Sequence, residues 1–195
     1  MILNPKTGVI IARFQPIHNG HLELIEQACE ENDRVFIFVG SADKFNKRNP
    51  IPINLRVQMA EEALEELSNS YTNGMLPAEV NIVPLNDLTD ESDNSHDWGF
   101  YLYTKILKEV ETPYFTIYYS DGFEIITTWF PTFIMRDFVS LKLLARGATC
   151  SGISATKVRQ MILNDDSELS KWVPHCVYER RDVIKNYIDL ADKIN

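Results

Sequence analysis

The chain has no glycine-rich phosphate loop. Neither a GxxxxGKS/T segment nor a GxGxxG fingerprint occurs in its 195 residues, so any phosphate it holds is held without a glycine cradle. Cysteine is equally scarce. Cys29, Cys150 and Cys176 are scattered, odd in number and outside any CxxC pair. That argues against a disulfide framework or a cysteine-rich zinc site and predicts a reducing, cytoplasmic setting. Positive charge is in short supply, with 19 Lys+Arg against 28 Asp+Glu and a net charge of -9. Broad binding to nucleic acid or an anionic membrane needs a positive field, so neither is expected, although a local basic pocket stays open. No apolar run approaches the ~20 residues that span a bilayer. The start, Met1-Ile2-Leu3-Asn4-Pro5-Lys6, lacks the basic and then apolar pattern of a signal peptide.

What is present reads as an ordinary globular domain. The chain is 45% hydrophobic and 24% charged, enough for a sizeable core, and its length fits one domain. We expect a single domain over 1–195, with a C-terminal helix from about 178 to 194 packed on it. Short apolar runs alternate with helical patterns. Gly8–Ala12, Val35–Val39, Val80–Leu85 and Tyr114–Tyr119 read as strands, and Phe138–Leu144 as a fifth. Asn19–Glu31, Asn54–Ser68, Trp98–Val110, Ser154–Leu163 and Asp182–Ile194 read as helices, the first capped by Asn19. Continuous apolar strands separated by helices predict an α/β fold with a doubly wound parallel sheet. Ser41–Ile53 and the acidic stretch Asn86–Asp97 read as long loops.

Two segments carry chemistry. The first, Arg13-Phe14-Gln15-Pro16-Ile17-His18-Asn19-Gly20-His21, joins the first strand to the first helix, where ligands bind in such sheets. His18 and His21 share one side of the first helical turn. Free N–H groups there favour an anion, Gly20 leaves the backbone open to a ligand, and Arg13 adds a planar cation. The second, Ile153-Ser154-Ala155-Thr156-Lys157-Val158-Arg159, opens another helix with Ser154 as its cap and Arg159 one turn in. Taken separately, each also reads as a capped helix with solvated side chains. Together, two helix starts with hydroxyl, imidazole and guanidinium groups suit a triphosphate held at both ends.

The two segments, in this order, resemble the GRFQPxHxGH and ISxTxxR motifs of the HxGH nucleotidyltransferase superfamily. The resemblance is to its nicotinamide mononucleotide (NMN) adenylyltransferase family, of the archaeal type and the type fused to a Nudix domain in some bacteria. It runs from about Gly8 to Tyr178. Val39-Gly40-Ser41-Ala42 is similar to the family's glycine-serine turn, Asn49-Pro50 with Arg56 to its NPFTxxER segment, and Tyr119-Ser120-Asp121 to its YSGN-like turn. Asp87 and Trp98 stand for the Asp and Trp that contact the nicotinamide nucleotide. Ala12 replaces the usual glycine, Leu55 replaces the usual glutamate, and no Nudix box is present.

The resemblance implies a Rossmann-like nucleotidyltransferase fold and adenylyl transfer from ATP to NMN, giving NAD and pyrophosphate. It implies that His18, His21 and Arg159 are catalytic, with His21 nearest the α-phosphate. Arg13, Phe14, Gly20, Ser154 and Thr156 would bind ATP, and Lys47, with Lys44 and Arg48 as alternatives, would close over the phosphates. Ser41, Arg56, Asp87 and Trp98 would bind NMN, with Trp98 stacked on the ring. Mg²⁺ would come with ATP, so no protein metal motif is expected. A homo-oligomer is compatible with the sequence, which does not fix the stoichiometry. Two other readings share these residues: a sister transferase of the phosphopantetheine adenylyltransferase or cytidylyltransferase type, and a non-catalytic nucleotide-binding regulator.

Overall fold

The computed structural model describes residues 5–90, 92–93, 95–120, 123–144 and 152–194. Cys150, one of the three cysteines, and Asp121, the last residue of the turn read above, lie outside them. The first strand and helix are β1 (Thr7–Ala12) and α1 (Asn19–Glu31), followed by β2 (Arg34–Val39) and α2 (Ile53–Ser68). Then come β3 (Glu79–Pro84), α3 (His96–Val110) and β4 (Phe115–Tyr119). Two short helices, α4 (Phe123–Trp129) and α5 (Thr132–Asp137), precede β5 (Val139–Leu143). The chain ends in α6 (Ala155–Leu163), a 3-10 turn at Leu169–Lys171, α7 (His175–Glu179) and α8 (Arg181–Ile194).

All five strands are parallel, in the order β3-β2-β1-β4-β5. The expected doubly wound sheet is therefore present. Its register sets Val9 beside Phe36 and Ile117. Alternating side chains then separate into two cores, as a pleated strand requires. Ile10, Val35, Ile37 and Val39 join Leu24, Ile25, Met59, Ala63, Val158 and Ile184 on one face. Val9, Phe36, Phe38, Ile117 and Val139 join Leu102, Ile106 and Ile134 on the other. Pro84 ends β3, an edge strand, where a missing N–H is tolerated.

Two details differ from the sequence reading. The cap of α1 is His18, one residue earlier than expected. Asn19 instead starts the helix and donates its backbone N–H to the Trp172 carbonyl at 2.9 Å and its side-chain amide to the Lys171 carbonyl at 3.1 Å. Ser154 caps α6 as expected, accepting from the Lys157 N–H at 3.3 Å. The pair α4 and α5 had no clear signal, because both are short and α4 carries β-branched and aromatic residues of modest helix propensity (Ile126, Thr127, Thr128, Trp129).

Gly99 explains how α4 reaches its seat. A Cβ added there would lie 1.6 Å from the Trp129 carbonyl oxygen and 3.2 Å from the Phe130 nitrogen. A helix-interior glycine ordinarily loses ~1 kcal/mol to alanine, and here the sign reverses. Gly99→Ala is expected to destabilise the fold by about 1–3 kcal/mol, the range of core overpacking. An unchanged or raised melting temperature would exclude so close an approach. No helix among the described residues is long and apolar enough to cross a membrane.

Candidate active site at the strand ends

The sheet order reverses between β1 and β4, since the chain leaves β1 toward β2 and β3 and returns to β4 and β5 on the other side. Such a switch point opens a crevice at the carboxyl ends of the strands. Two adjoining cavities occupy it. The first, of about 500 Å³, is walled by Arg13, Phe14, His18, His21, Ser120, Ser154, Thr156 and Arg159. The second, of about 360 Å³, is walled by Gly40, Ser41, Asp87, Asp90, Asp93 and Trp98. Ile11, Ala12, Arg13, Arg48 and Trp129 border both. The ISxTxxR-like segment is thus folded against the first loop, and Arg159 donates to the Gln15 carbonyl at 2.7 Å.

The two histidines form one unit. Their rings stack with centroids 3.7 Å apart and planes 23° from parallel, and Phe14 meets His21 edge-on at 4.9 Å. The backbone N–H of His18 donates to Nδ1 of His21 at 3.3 Å. A neutral imidazole accepting at Nδ1 carries its proton on Nε2, so His21 has its donor at the other ring nitrogen. Phe14 is buried at φ 49, a left-handed backbone that non-glycine residues adopt at some cost and that clusters at functional sites.

The helix amides are less available than the sequence suggested. The Asn19 N–H is taken by Trp172, and the His21 N–H donates to the His18 carbonyl at 2.8 Å. The groups this helix start turns to the cavity are therefore mainly side chains. Gly20 also serves packing. A Cβ there would meet Ile153 Cγ2 at 3.2 Å and the His18 ring at 3.3 Å. Its bare α-carbon makes room for the His18 ring, a different role from opening the backbone to a ligand.

Among the loop cations, Arg48 and not Lys47 borders the cavities. The Lys47 side chain is 77% exposed and lies 3.6 Å from Asp192 on α8, while Lys44 pairs with Asp43 at 2.8 Å. The turn that presents Arg48 is fixed by Asn46, whose Oδ1 accepts from the N–H groups of Arg48 at 3.0 Å and Asn49 at 2.9 Å. Buried Gln15 ties this loop to the first segment. Its amide donates to the Ile51 carbonyl at 3.2 Å and accepts from the Ile51 N–H at 2.9 Å. Sequence reasoning gave Gln15 no role.

Arg159 is partly buried. Burial first, and the Arg13 charge second, hold its guanidinium below the ordinary value, although arginine stays charged near neutral pH. Arg13, Arg48 and Arg159 thus gather like charge on the wall of the first cavity, with no carboxylate beside them among the described lining residues. Arg56 is a correction. It is fully buried and donates only to backbone carbonyls of Arg13, Gly40 and Ser41, so it does not reach a ligand in the second cavity.

Trp98 serves two surroundings at once. It is 7% exposed, packs with Leu102 and Ile106, and still borders the second cavity. Its ring lies 5.6 Å from Tyr101 and crosses Trp129 at 6.2 Å and 87°. Trp129, on the unexpected helix α4, is the aromatic wall that sequence reading missed. The Asp87 N–H donates to Asp43 at 2.9 Å, which sets the turn into the acidic stretch. Hydrogen bonds from Ser92 to Asp90 and from Ser95 to Asp93 hold both carboxyls below their ordinary range.

A larger cavity, about 890 Å³, lies at the opposite ends of β1, β4 and β5. Four of its charged side chains are paired with each other: Lys142 with Glu31 at 2.5 Å and Arg136 with Asp137 at 2.6 Å. Among the described residues, no group of three or more His, Cys, Asp or Glu could hold a metal ion.

Residues 9–161 match the model of the cytidylyltransferase-like family. The chain is 32% identical over 117 residues to a nicotinamide-nucleotide adenylyltransferase of Halorubrum lacusprofundi, covering 59% of this chain and 55% of that one. It is 42% identical over 78 residues to the enzyme of that name from Picrophilus torridus, covering 39% and 46%. The chain thus spans roughly half the length of these curated relatives. A bifunctional NMN adenylyltransferase/ADP ribose pyrophosphatase from Francisella tularensis, solved with AMP and a manganese ion, shares the fold. Its TM-score is 0.68 at 23% identity, over 96% of this chain and 52% of that one.

Proposed function

The chain belongs to the cytidylyltransferase-like family, and from that premise we propose that it is an enzyme that transfers the adenylyl group of ATP to NMN, giving NAD and pyrophosphate. One observation carries the reading: two cavities, one cationic and one aromatic and acidic, meet at a shared wall of Arg13, Arg48 and Trp129. The names of the Halorubrum and Picrophilus relatives support the adenylyl and nicotinamide parts of it.

In this reading the triphosphate lies in the first cavity, held by Arg13, Arg48, Arg159, Ser154 and Thr156. NMN lies in the second, with its phosphate at the shared wall. That phosphate attacks the α-phosphorus in line, forming the new P–O bond as the bond to pyrophosphate breaks. The nucleophile is already an anion, so no general base is needed. The protein supplies positioning and stabilisation of developing charge, with the Nε2–H of His21 and the imidazole of His18 beside the α-phosphate. Among the described residues no acidic side chain walls the first cavity. Mg²⁺ would come with ATP and would help neutralise the phosphate charge beside Arg13, Arg48 and Arg159. Cys29 and Cys176 are buried free thiols, which suits the reducing cytoplasm, and the whole reaction is assigned to one domain.

The test is NAD formation by the purified protein from ATP, Mg²⁺ and NMN, beside CTP, phosphopantetheine and alcohol phosphates as competing substrates. NAD from the first mixture alone is expected. Turnover with another pair would make the protein a sister transferase, and ATP binding without any turnover would make it a regulator. Trp98→Ala then separates the two halves of the site. Lost stacking on an aromatic ring costs about 1–3 kcal/mol, or roughly 5- to 150-fold, so the KM for NMN should rise by that factor while the KM for ATP holds. The melting temperature should fall too, because the ring is also core. A destabilised protein with both KM values unchanged would leave Trp98 as core alone.

A further inference from the structure

Arg56 is the only fully buried lysine or arginine among the described residues. It sits in the first turn of α2, and its guanidinium reaches the ends of two strands. Nη1 donates to the carbonyls of Arg13 at 2.7 Å and Gly40 at 2.5 Å, and Nη2 donates to the Ser41 carbonyl at 2.9 Å. Its Nε–H has no acceptor. No carboxylate pairs with it among the described residues. The charged neighbours that act on it are Arg13, which opposes its charge, and Asp87, which favours it.

This is an unusual way to close a turn. Three carbonyls at strand ends need donors, but a neutral amide or water supplies donors without burying a charge. An unpaired buried charge is strongly unfavourable unless something nearby compensates it. The three carbonyls identify the candidate. Arg13 borders both cavities, and Gly40 and Ser41 border the second. The same turn is stitched to the sheet by the Gly40 N–H on the Ala12 carbonyl and the Ala42 N–H on the Leu85 carbonyl, both at 2.8 Å.

We infer that Arg56 is a positioning residue for phosphoryl-group transfer: it locks the Arg13 segment to the Gly40–Ser41 turn, sets the separation of the two substrates, and has its buried charge balanced by the phosphates that bind above it. In-line transfer needs the reacting atoms about 3–3.5 Å apart, and a 1 Å misplacement is enough to lose about 10²-fold in rate. A clamp spanning the two substrate cavities acts on that separation directly. The inference rests on the two-substrate reading proposed above.

The experiment compares Arg56→Lys, Arg56→Gln and Arg56→Ala with the wild type. It reads kcat, both KM values, the melting temperature and the rise in melting temperature caused by ATP or inorganic pyrophosphate. Arg56→Lys should lower kcat about 10- to 100-fold with each KM within about threefold. Methylguanidinium should restore part of the activity of Arg56→Ala. Pyrophosphate should raise the melting temperature of Arg56→Gln less than that of the wild type, because the buried charge it balances is gone. A lower melting temperature with unchanged kcat, no rescue and full pyrophosphate stabilisation would reduce Arg56 to a structural part. If no variant folds, the wild type decides: the guanidinium N–H signals of Arg56 should shift on adding pyrophosphate, and constant signals overturn the proposal. Absence of NAD synthesis by the wild type would overturn the two-substrate reading alone, because the pyrophosphate measurements do not depend on turnover.

Discussion

Replacing His21 with alanine is expected to lower kcat by about 10²–10³-fold, the loss typical of a donor that meets developing charge in the transition state. The geometry explains why this one side chain carries so much. With Nδ1 accepting from the His18 N–H, the ring carries its proton on Nε2, and stacking on His18 and Phe14 holds its plane. A donor fixed in place before the substrate arrives needs no reorganisation as the phosphorus becomes five-coordinate. The fold should survive. The bond lost with the ring is at a helix start, and a cap interaction is worth about 1 kcal/mol, so the melting temperature should fall only by a few degrees. His21→Gln, which keeps an N–H donor on a longer and looser stem, should fall between the two. Near-normal turnover in a folded His21→Ala protein would remove His21 from the reaction.

The elements that the sequence made legible are those whose signal is local. Val35–Val39 reads as a buried strand because every residue is apolar, and the structure buries each of them. The register of Val9 with Phe36 and the division of faces then follow from the pleat. The two motifs were legible as helix starts that share one ligand, but the contact that joins them was not. The bond from Arg159 to the Gln15 carbonyl spans most of the chain, and no spacing rule connects those positions.

Arg56 shows where a motif resemblance and helical periodicity point different ways. The resemblance to the NPFTxxER segment implies a ligand contact, yet Arg56 lies three, four and seven residues before Met59, Ala60 and Ala63. That spacing already places it on the buried stripe, and the signal was available in periodicity rather than in residue type. Lys47 and Arg48 are neighbours of equal charge in one loop, and only the turn held by Asn46 decides which of them faces the crevice. Trp129 was invisible because its position depends on the missing Cβ of Gly99, a contact between two helices with no sequence pattern linking them.

Arg159 provides the second large effect. Its two terminal nitrogens have different work: Nη1 holds the Gln15 carbonyl at 2.7 Å, while Nη2 lies 3.4 Å from Thr156 Oγ1 on the wall of the first cavity, the proposed triphosphate site. Lysine has the same charge but a single nitrogen. It either keeps the link to Gln15, leaving the phosphates with one cation fewer, or turns to the phosphates and releases the loop that carries Arg13. Charge-assisted hydrogen bonds are worth about 1.5–3 kcal/mol, so Arg159→Lys should lower kcat/KM for ATP by about 10- to 150-fold, with the KM for NMN nearly unchanged. Arg159→Ala loses both bonds and the charge and should lower it by about 10²–10³-fold or more. Inhibition by pyrophosphate should weaken in parallel, since the same groups hold the leaving group. The side chain is half-buried and the helix cap is Ser154, so neither change should abolish folding. If Arg159→Lys matches the wild type in kcat/KM and in pyrophosphate inhibition, the fork geometry is irrelevant and the guanidinium acts only as a point charge. If Arg159→Ala matches it too, Arg159 is a structural link to Gln15 and the triphosphate lies elsewhere in the crevice.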